Sequence, residues 1–251
     1  MPTLDLTAEQ RAALDRPVWS ALTTGHRTLA EGAAHARRYP AAIAPFAAMS
    51  DESDAAWSEL ADLAKDAVVA IVTPAPPGDL RGLEARLRAD IRQMVAVEAV
   101  DPVGDAAVEM LDRRDVPAML ELTALTKPGP FLARTHELGR YIGIRDGERL
   151  AAMAGERMRL DGFTEISAVC VHPDYRGRGY AQRLVLTLMA AIRGRGETPF
   201  LHVIDDNHAA IALYERLGFV SRTSLCFTVL RRSAAPATGD GTFGKKPSGA
   251  D

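Results

Sequence analysis

The chain has 251 residues, 47% of them hydrophobic and 25% charged, with a formal net charge of −3. This length suits one large domain or two small ones, and the apolar share suits a globular chain with its own core. The slightly acidic balance excludes the global basic footprint of a nucleic-acid binder, so any anion site has to be local.

The opening, MPTLDLTAEQRAAL, lacks the basic-then-apolar layout of a secretory leader, and no run reaches the roughly 18 apolar residues of a membrane span. A cytoplasmic protein with no membrane partner is expected. Residues 41–49 and 67–73 read as strands flanking a helix over 53–64, followed by a Pro/Gly-rich loop over 73–82. Leu83, Ala85, Leu87, Ala89 and Ile91 alternate strictly, which favours a strand although the residue types suit a helix. Turn residues over 98–111 place a boundary near Asp101–Asp105, giving an N-terminal α/β domain over 1–103 and a second domain over 104–232. The last stretch, 233–251, is poor in apolar residues and is expected to be disordered. The strand–helix–strand rhythm of the first half echoes the second, which leaves a diverged repeat open.

The second domain starts with a helix over 115–125, with Asp115 as cap and Pro117 in its first turn. Asp146-Gly147 and Asp161-Gly162 then mark two hairpin turns in a three-stranded meander over 141–171. In its last strand, strict alternation puts Phe163, Glu165, Ser167, Val169 and Val171 on one face and Thr164, Ile166, Ala168 and Cys170 on the other. Leu184, Leu188 and Ile192 recur at four-residue spacing on a helix beginning near Gly179. A short buried strand over 199–204 follows. Residues 207–219 then form a helix with Asn207 as cap and Gly218-Phe219 closing it, and a final strand runs to Arg232. Cys170 and Cys226 lie in apolar strands and read as reduced core thiols, with no metal site. The fold class is α/β, an α+β arrangement around one mixed sheet.

Between the meander and the next helix stands Arg176-Gly177-Arg178-Gly179-Tyr180-Ala181. A helix N-terminus offers unpaired N–H donors and about half a positive elementary charge, glycines allow close approach, and arginines add charge, so an anion such as a pyrophosphate suits the site. A lysine-bearing phosphate loop, G-x-x-x-x-G-K-S/T, is absent, and Gln182 replaces the third glycine of a dinucleotide fingerprint. A tight turn with solvated arginines is the bland alternative.

The loop resembles the acetyl-coenzyme A signature of the GNAT superfamily of N-acetyltransferases, Q/R-x-x-G-x-G/A, matched by Arg176, Gly179 and Ala181. A second family pattern, Asn-x-x-Ala-x-x-x-Tyr followed by Gly-Phe, is matched by Asn207, Ala210, Tyr214, Gly218 and Phe219. The resemblance covers about residues 105–232 and implies a GNAT-like acyltransferase fold in the C-terminal half. A degenerate GNAT-like copy is then one reading of the N-terminal half. It further implies acetyl-CoA as co-substrate and no metal. The pantetheine arm is expected along Val169, Cys170 and Val171, and the pyrophosphate on Arg176, Gly177, Arg178, Gly179, Tyr180 and Ala181, with Asn207 and Ala210 also at the coenzyme. Tyr214 is the expected acid and Glu165 the expected base, with His172 as a substitute. A half-buried core tyrosine and a salt-bridged strand glutamate are the plain alternatives.

The acceptor implied is a small-molecule or peptide amine, approached by the loop 126–141, where Arg134, His136 and Arg140 are candidates to meet an acidic group. The first half either covers that acceptor site or serves packing or homodimerisation. A longer acyl-coenzyme A donor and a non-catalytic acyl-coenzyme A sensor remain alternatives. RNA binding fares worst, since the Arg-Gly run is short and no aromatic platform accompanies it.

Overall fold

Helix signals set the first elements. The Thr7 hydroxyl accepts from the Gln10 amide at 3.2 Å, and the Gln10 side chain accepts from the Thr7 amide at 2.9 Å, a reciprocal cap opening α1 (Ala8–Asp15). Pro17 starts α2 (Pro17–Thr23), where its missing N–H costs nothing. The computed structural model describes residues 4–97 and 107–233, so the boundary at Asp101–Asp105 and the tail beyond Ser233 lie outside the described residues. Strands β1 (Glu31–Gly32), β2 (Ala36–Arg38) and β3 (Ala47–Met49) form a small antiparallel sheet. Ser53 caps α3 (Asp54–Leu63), and β4 (Val69–Thr73) and β5 (Leu83–Ala96) follow. The alternating 83–91 segment is therefore a strand, whereas 41–49 is strand only over its last three residues. Before them the chain turns, with the Ile43 amide bonded to the Pro40 carbonyl at 2.8 Å.

The second half gives β6 (Glu109–Leu111), α4 (Val116–Thr126), β7 (Tyr141–Asp146), β8 (Arg149–Leu160) and β9 (Phe163–Val171). After them come α5 (Tyr180–Arg193), β10 (Thr198–Ile204), α6 (His208–Arg216) and β11 (Phe219–Arg232). Asp115 stands at the N-cap of α4 but does not cap it. Its carboxylate accepts instead from the Asp112 amide, at 2.8 Å, and from Arg145.

Eight strands form one sheet in the order β4-β11-β5-β10-β9-β8-β7-β6, antiparallel except for β9 beside β10. Two strands of the first half thus sit among those of the second, with β5 between β10 and β11. On one face, α5 buries Leu184, Val185, Leu188, Met189 and Ile192 against Ile142, Ala154, Ile166 and Leu201, joined by α6. Each such side chain contributes about 1.5–3 kcal/mol when fully withdrawn from water. On the other face, Met119 and Leu122 of α4 cover Tyr141, Met153, Ala168 and Cys170. Beside them Leu14, Val18, Leu22, Tyr39 and Ile43 roof Ile91, Val95, Phe163, Phe200 and Leu225.

The strict alternation expected of β9 fails at one residue. Ala168 takes a left-handed backbone, φ +52°, and the β8–β9 register shifts there, so Ala168 and Val169 together face Ala154. Such a bulge turns the strand by one position. Ile166, Val169 and Val171 consequently pack on the α5/α6 side, while Ala168 and Cys170 pack on the α4 side. Glu165 does not share a face with Val169.

Candidate functional site

The parallel contact between β9 and β10 lasts three residues: Thr198↔Phe163, Pro199↔Thr164 and Phe200↔Glu165. Beyond it β10 stays with β5 as far as Ile204↔Ile91, while β9 stays with β8 as far as Val171↔Ala152. The strands splay, and the inner edge of β9 from Ile166 onward has no strand partner among the described residues. Such an edge offers backbone donors and acceptors to an extended ligand.

The glycine loop closes the same end. After a 3-10 turn over Pro173–Tyr175, Gly177 and Gly179 take φ +77° and +74°, and a Cβ at either would meet nothing within 4 Å. Glycine is needed there for backbone conformation, not for room. Gly179 is the N-cap residue of α5 and brings no side-chain cap, so the amides opening that 14-residue helix face outward uncapped. Arg176 and Arg178 are exposed and form no ion pair among the described residues. Arg178 lies 5.0 Å over the ring of Tyr175, which stacks on Tyr180 and donates to Asp146 at 2.9 Å. Ala181 follows in the first turn of α5, half-buried.

Val169 and Val171 are half-buried at the splayed edge, facing α5 and α6. Cys170 points the other way, and burial pushes its thiol up to about 11, which leaves it protonated and inert at neutral pH. On α6, the Asn207 side chain accepts from the Ala210 amide at 3.2 Å, so it caps the helix as its type suggests. Ala210 lies half-buried one turn before Tyr214. The Tyr214 ring packs edge-on to Phe219 at 5.9 Å, and its hydroxyl has no hydrogen-bond partner among the described residues. Burial pushes its pKa up to about 12, so it carries its proton at neutral pH.

Glu165 is fully buried at the vertex of the splay. Arg157 grips it bidentately, at 2.8 and 2.5 Å, from over the ring of Phe46. His202 Nδ1 lies 2.6 Å from Oε1, an oxygen that Arg157 also holds. Burial alone would raise its pKa, but the charge and hydrogen bonds of Arg157, aided by His202, hold it down at about 2. The chain of bonds continues: Gln93 Nε2 donates to the Leu14 carbonyl at 2.8 Å and to His202 Nε2 at 3.0 Å. Gln93 Oε1 in turn accepts from Arg222, which pairs with Asp15 at 2.6 Å. Arg157, Glu165, His202, Gln93 and Arg222 each come from a different strand, β8, β9, β10, β5 and β11. Together they make a polar belt across the sheet beneath the roof. Reading by motif missed every member except Glu165. The available signal was His202, a polar residue interrupting the buried run PFLHVI.

In the loop before β7, Arg134 is already paired with Glu137, at 2.6 and 2.8 Å, and Nδ1 of His136 is buried without a hydrogen-bond partner among the described residues. Arg140 remains exposed. His172 accepts from the Asp174 amide at 3.3 Å, a local turn contact.

The FR47-like protein family matches residues 141–228, which include the splayed strands and the glycine loop. N-alpha-acetyltransferase RimI of Mycobacterium tuberculosis is 36% identical over 138 residues, covering 51% of this chain and 85% of the relative. The chain belongs to the GNAT superfamily of N-acetyltransferases. The [ribosomal protein bS18]-alanine N-acetyltransferase of Escherichia coli is 31% identical over 137 residues, 52% of this chain and 88% of that one. A solved GNAT-family protein from Novosphingobium aromaticivorans shares 38% identity and a TM-score of 0.83, over 88% of this chain and 99% of its own. This GNAT protein is thus an acyltransferase, and no helix among its described residues is long and apolar enough to cross a membrane.

Proposed function

We propose that this GNAT protein transfers the acetyl group of acetyl-CoA to a primary amine by direct attack within a ternary complex. The observation that carries the reading is a coincidence of place: the uncapped, arginine-flanked helix entrance and the splayed strand edge occur at the same end of the sheet. The amides of residues 177–181, with Arg176 and Arg178, suit the diphosphate. The free edge at Val169–Val171 suits the amide-bearing arm, and an inward N–H beside the Ala168 bulge would steady the developing oxyanion. The amine nitrogen bonds to the acetyl carbon, the carbon–sulfur bond breaks, the thiolate takes a proton from Tyr214, and the proton shed by the acylated nitrogen passes through solvent to restore the Tyr214 hydroxyl. Glu165 serves this reaction by fixing the vertex of the splay from within its ion pair.

Calorimetry with coenzyme A tests the donor half, and thiol release from acetyl-CoA plus an amine tests the transfer. The wild type should bind. The double variant Arg176→Glu/Arg178→Glu should lose at least tenfold in affinity, and Tyr214→Phe should lower kcat about 100-fold with coenzyme affinity kept. No heat with coenzyme A, or no effect of the charge reversal, would sink the proposal. Tight binding without thiol release for any amine would identify a sensor.

A further inference from the structure

A cavity of about 240 Å³ opens between the roof and the loop that precedes β7, lined by Tyr39, Ala41, Ala44, Pro45, Val69 and Leu132, among others. We infer that it receives the apolar tail of a small primary amine, the acceptor of the acetyl transfer proposed above, on which this inference rests.

Its chemistry is apolar. The two polar side chains at its wall are already engaged: Arg38 by Glu31 at 3.2 Å and by the Leu63 carbonyl at 2.9 Å, and the Tyr39 hydroxyl by His26 at 2.9 Å. The space equals roughly eight water volumes, below the 300 Å³ or so at which pockets for larger ligands begin. The walls are tied together, since Thr135 donates to the Ile43 carbonyl at 2.6 Å and the Arg134 amide donates to the Ala42 carbonyl at 3.1 Å. Such a frame admits a short chain without rearranging.

Both walls lead to the vertex of the splay. The Tyr39 amide bonds to the Phe46 carbonyl at 3.0 Å, and Arg157, the partner of Glu165, lies over the Phe46 ring at 4.9 Å. From the other wall, Leu132 follows Phe131, which packs into the cluster holding Ala168 and Cys170 of the bulge. A tail seated in the cavity would hold its amine toward the splayed strands. A larger cavity, about 440 Å³, lies around Asp161-Gly162 and Glu197 at the opposite end of β9, away from the glycine loop.

The test uses the full chain, acetyl-CoA, the straight-chain amines from methylamine to octylamine, and a tetrapeptide beginning with alanine, with thiol release as the readout. The value of kcat/KM should rise about fourfold per methylene until the cavity is full, then level off. The tetrapeptide should fall below hexylamine. Leu132→Trp, which fills the space, should cut the hexylamine-to-methylamine ratio of kcat/KM at least tenfold with coenzyme A affinity unchanged. Ala44→Leu gives the same reading should the first variant fail to fold. If coenzyme A binds and methylamine reacts, yet the ratio is flat along the series or unmoved by both variants, this inference falls and acetyl transfer stands. A tetrapeptide that outperforms every amine overturns it too. Without coenzyme A binding, both fall.

Discussion

Glu165 shows how burial changes what a carboxylate does. An exposed glutamate on β9 would be a proton acceptor in waiting. Here Arg157 and His202 occupy both of its oxygens, and its pKa is held at about 2 against an ordinary 4.5. Its folded value lies below its unfolded one, so its contribution to stability is complete above pH 4.5 and is lost as pH falls toward 2. Glu165→Gln leaves the Arg157 guanidinium without its counter-charge and should cost about 3–5 kcal/mol in urea unfolding. The variant should also lose this part of the acid dependence between pH 4.5 and 2. A belt member and a catalytic base differ in the rate profile. If Glu165 positions the vertex, the pH dependence of kcat/KM keeps its shape in Glu165→Gln at 10 °C, where the weakened protein remains folded. Loss of the acidic limb alone, with stability intact, would restore it as the base.

At the scale of elements, the glycine loop and its helix form one anion-binding unit in the proposed transfer. Gly179→Ala imposes a side chain at φ +74° and should cost about 1–2 kcal/mol of stability. It should also weaken coenzyme A about tenfold by tilting the first turn of α5. Gly162→Ala supplies the control, for it meets the same strain, φ +76° with open space, in the turn at the far end of β9. It should lose stability alike and keep its affinity; equal losses of affinity in both variants would reduce the loop to a structural turn. The loop, α5 and the closing Gly218-Phe219 of α6 were legible because their signals are local: φ-permissive glycines, four-residue spacing and a capping asparagine. The two hairpins of the meander were legible from their Asp-Gly turns. The Ala168 bulge was not, because alanine gives no sign of a left-handed backbone and the register shift is visible only in the pairing with β8. Helices α1 and α2 were not legible either, although Leu14, Val18 and Leu22 recur at four-residue spacing, because Pro17 splits the run into helices of only 8 and 7 residues.

For the molecule as a whole, the family motifs and the sheet divide the chain differently. Every recognisable motif lies beyond residue 140, yet β10 pairs over five residues, Phe200 to Ile204, with β5 from the first half. Both neighbours of β11, β5 and β4, also come from there. Residues 104–232 alone would therefore expose the inner edge of β10 and both edges of β11. They would also bare the apolar face now covered by Leu14, Val18, Leu22 and Ile43. Unpaired edges and an uncovered face of that kind template aggregation. The polar belt would be broken as well, since Gln93 and Asp15 would leave with the first half. Long-range pairing of this sort leaves no periodic trace in a sequence, which is why the break in turn residues near 101–105 suggested separable domains. The expected outcome is that a 104–232 fragment shows no cooperative urea transition and collects in the insoluble fraction, while the full chain melts in one calorimetric transition. Adding a separately expressed 1–97 fragment during refolding should recover soluble, coenzyme-binding protein, because β5 would then slot between its neighbours. Two well-separated transitions in the full chain, or a 104–232 fragment that folds and binds coenzyme A by itself, would show that β5 is an accessory to the sheet and not its keystone.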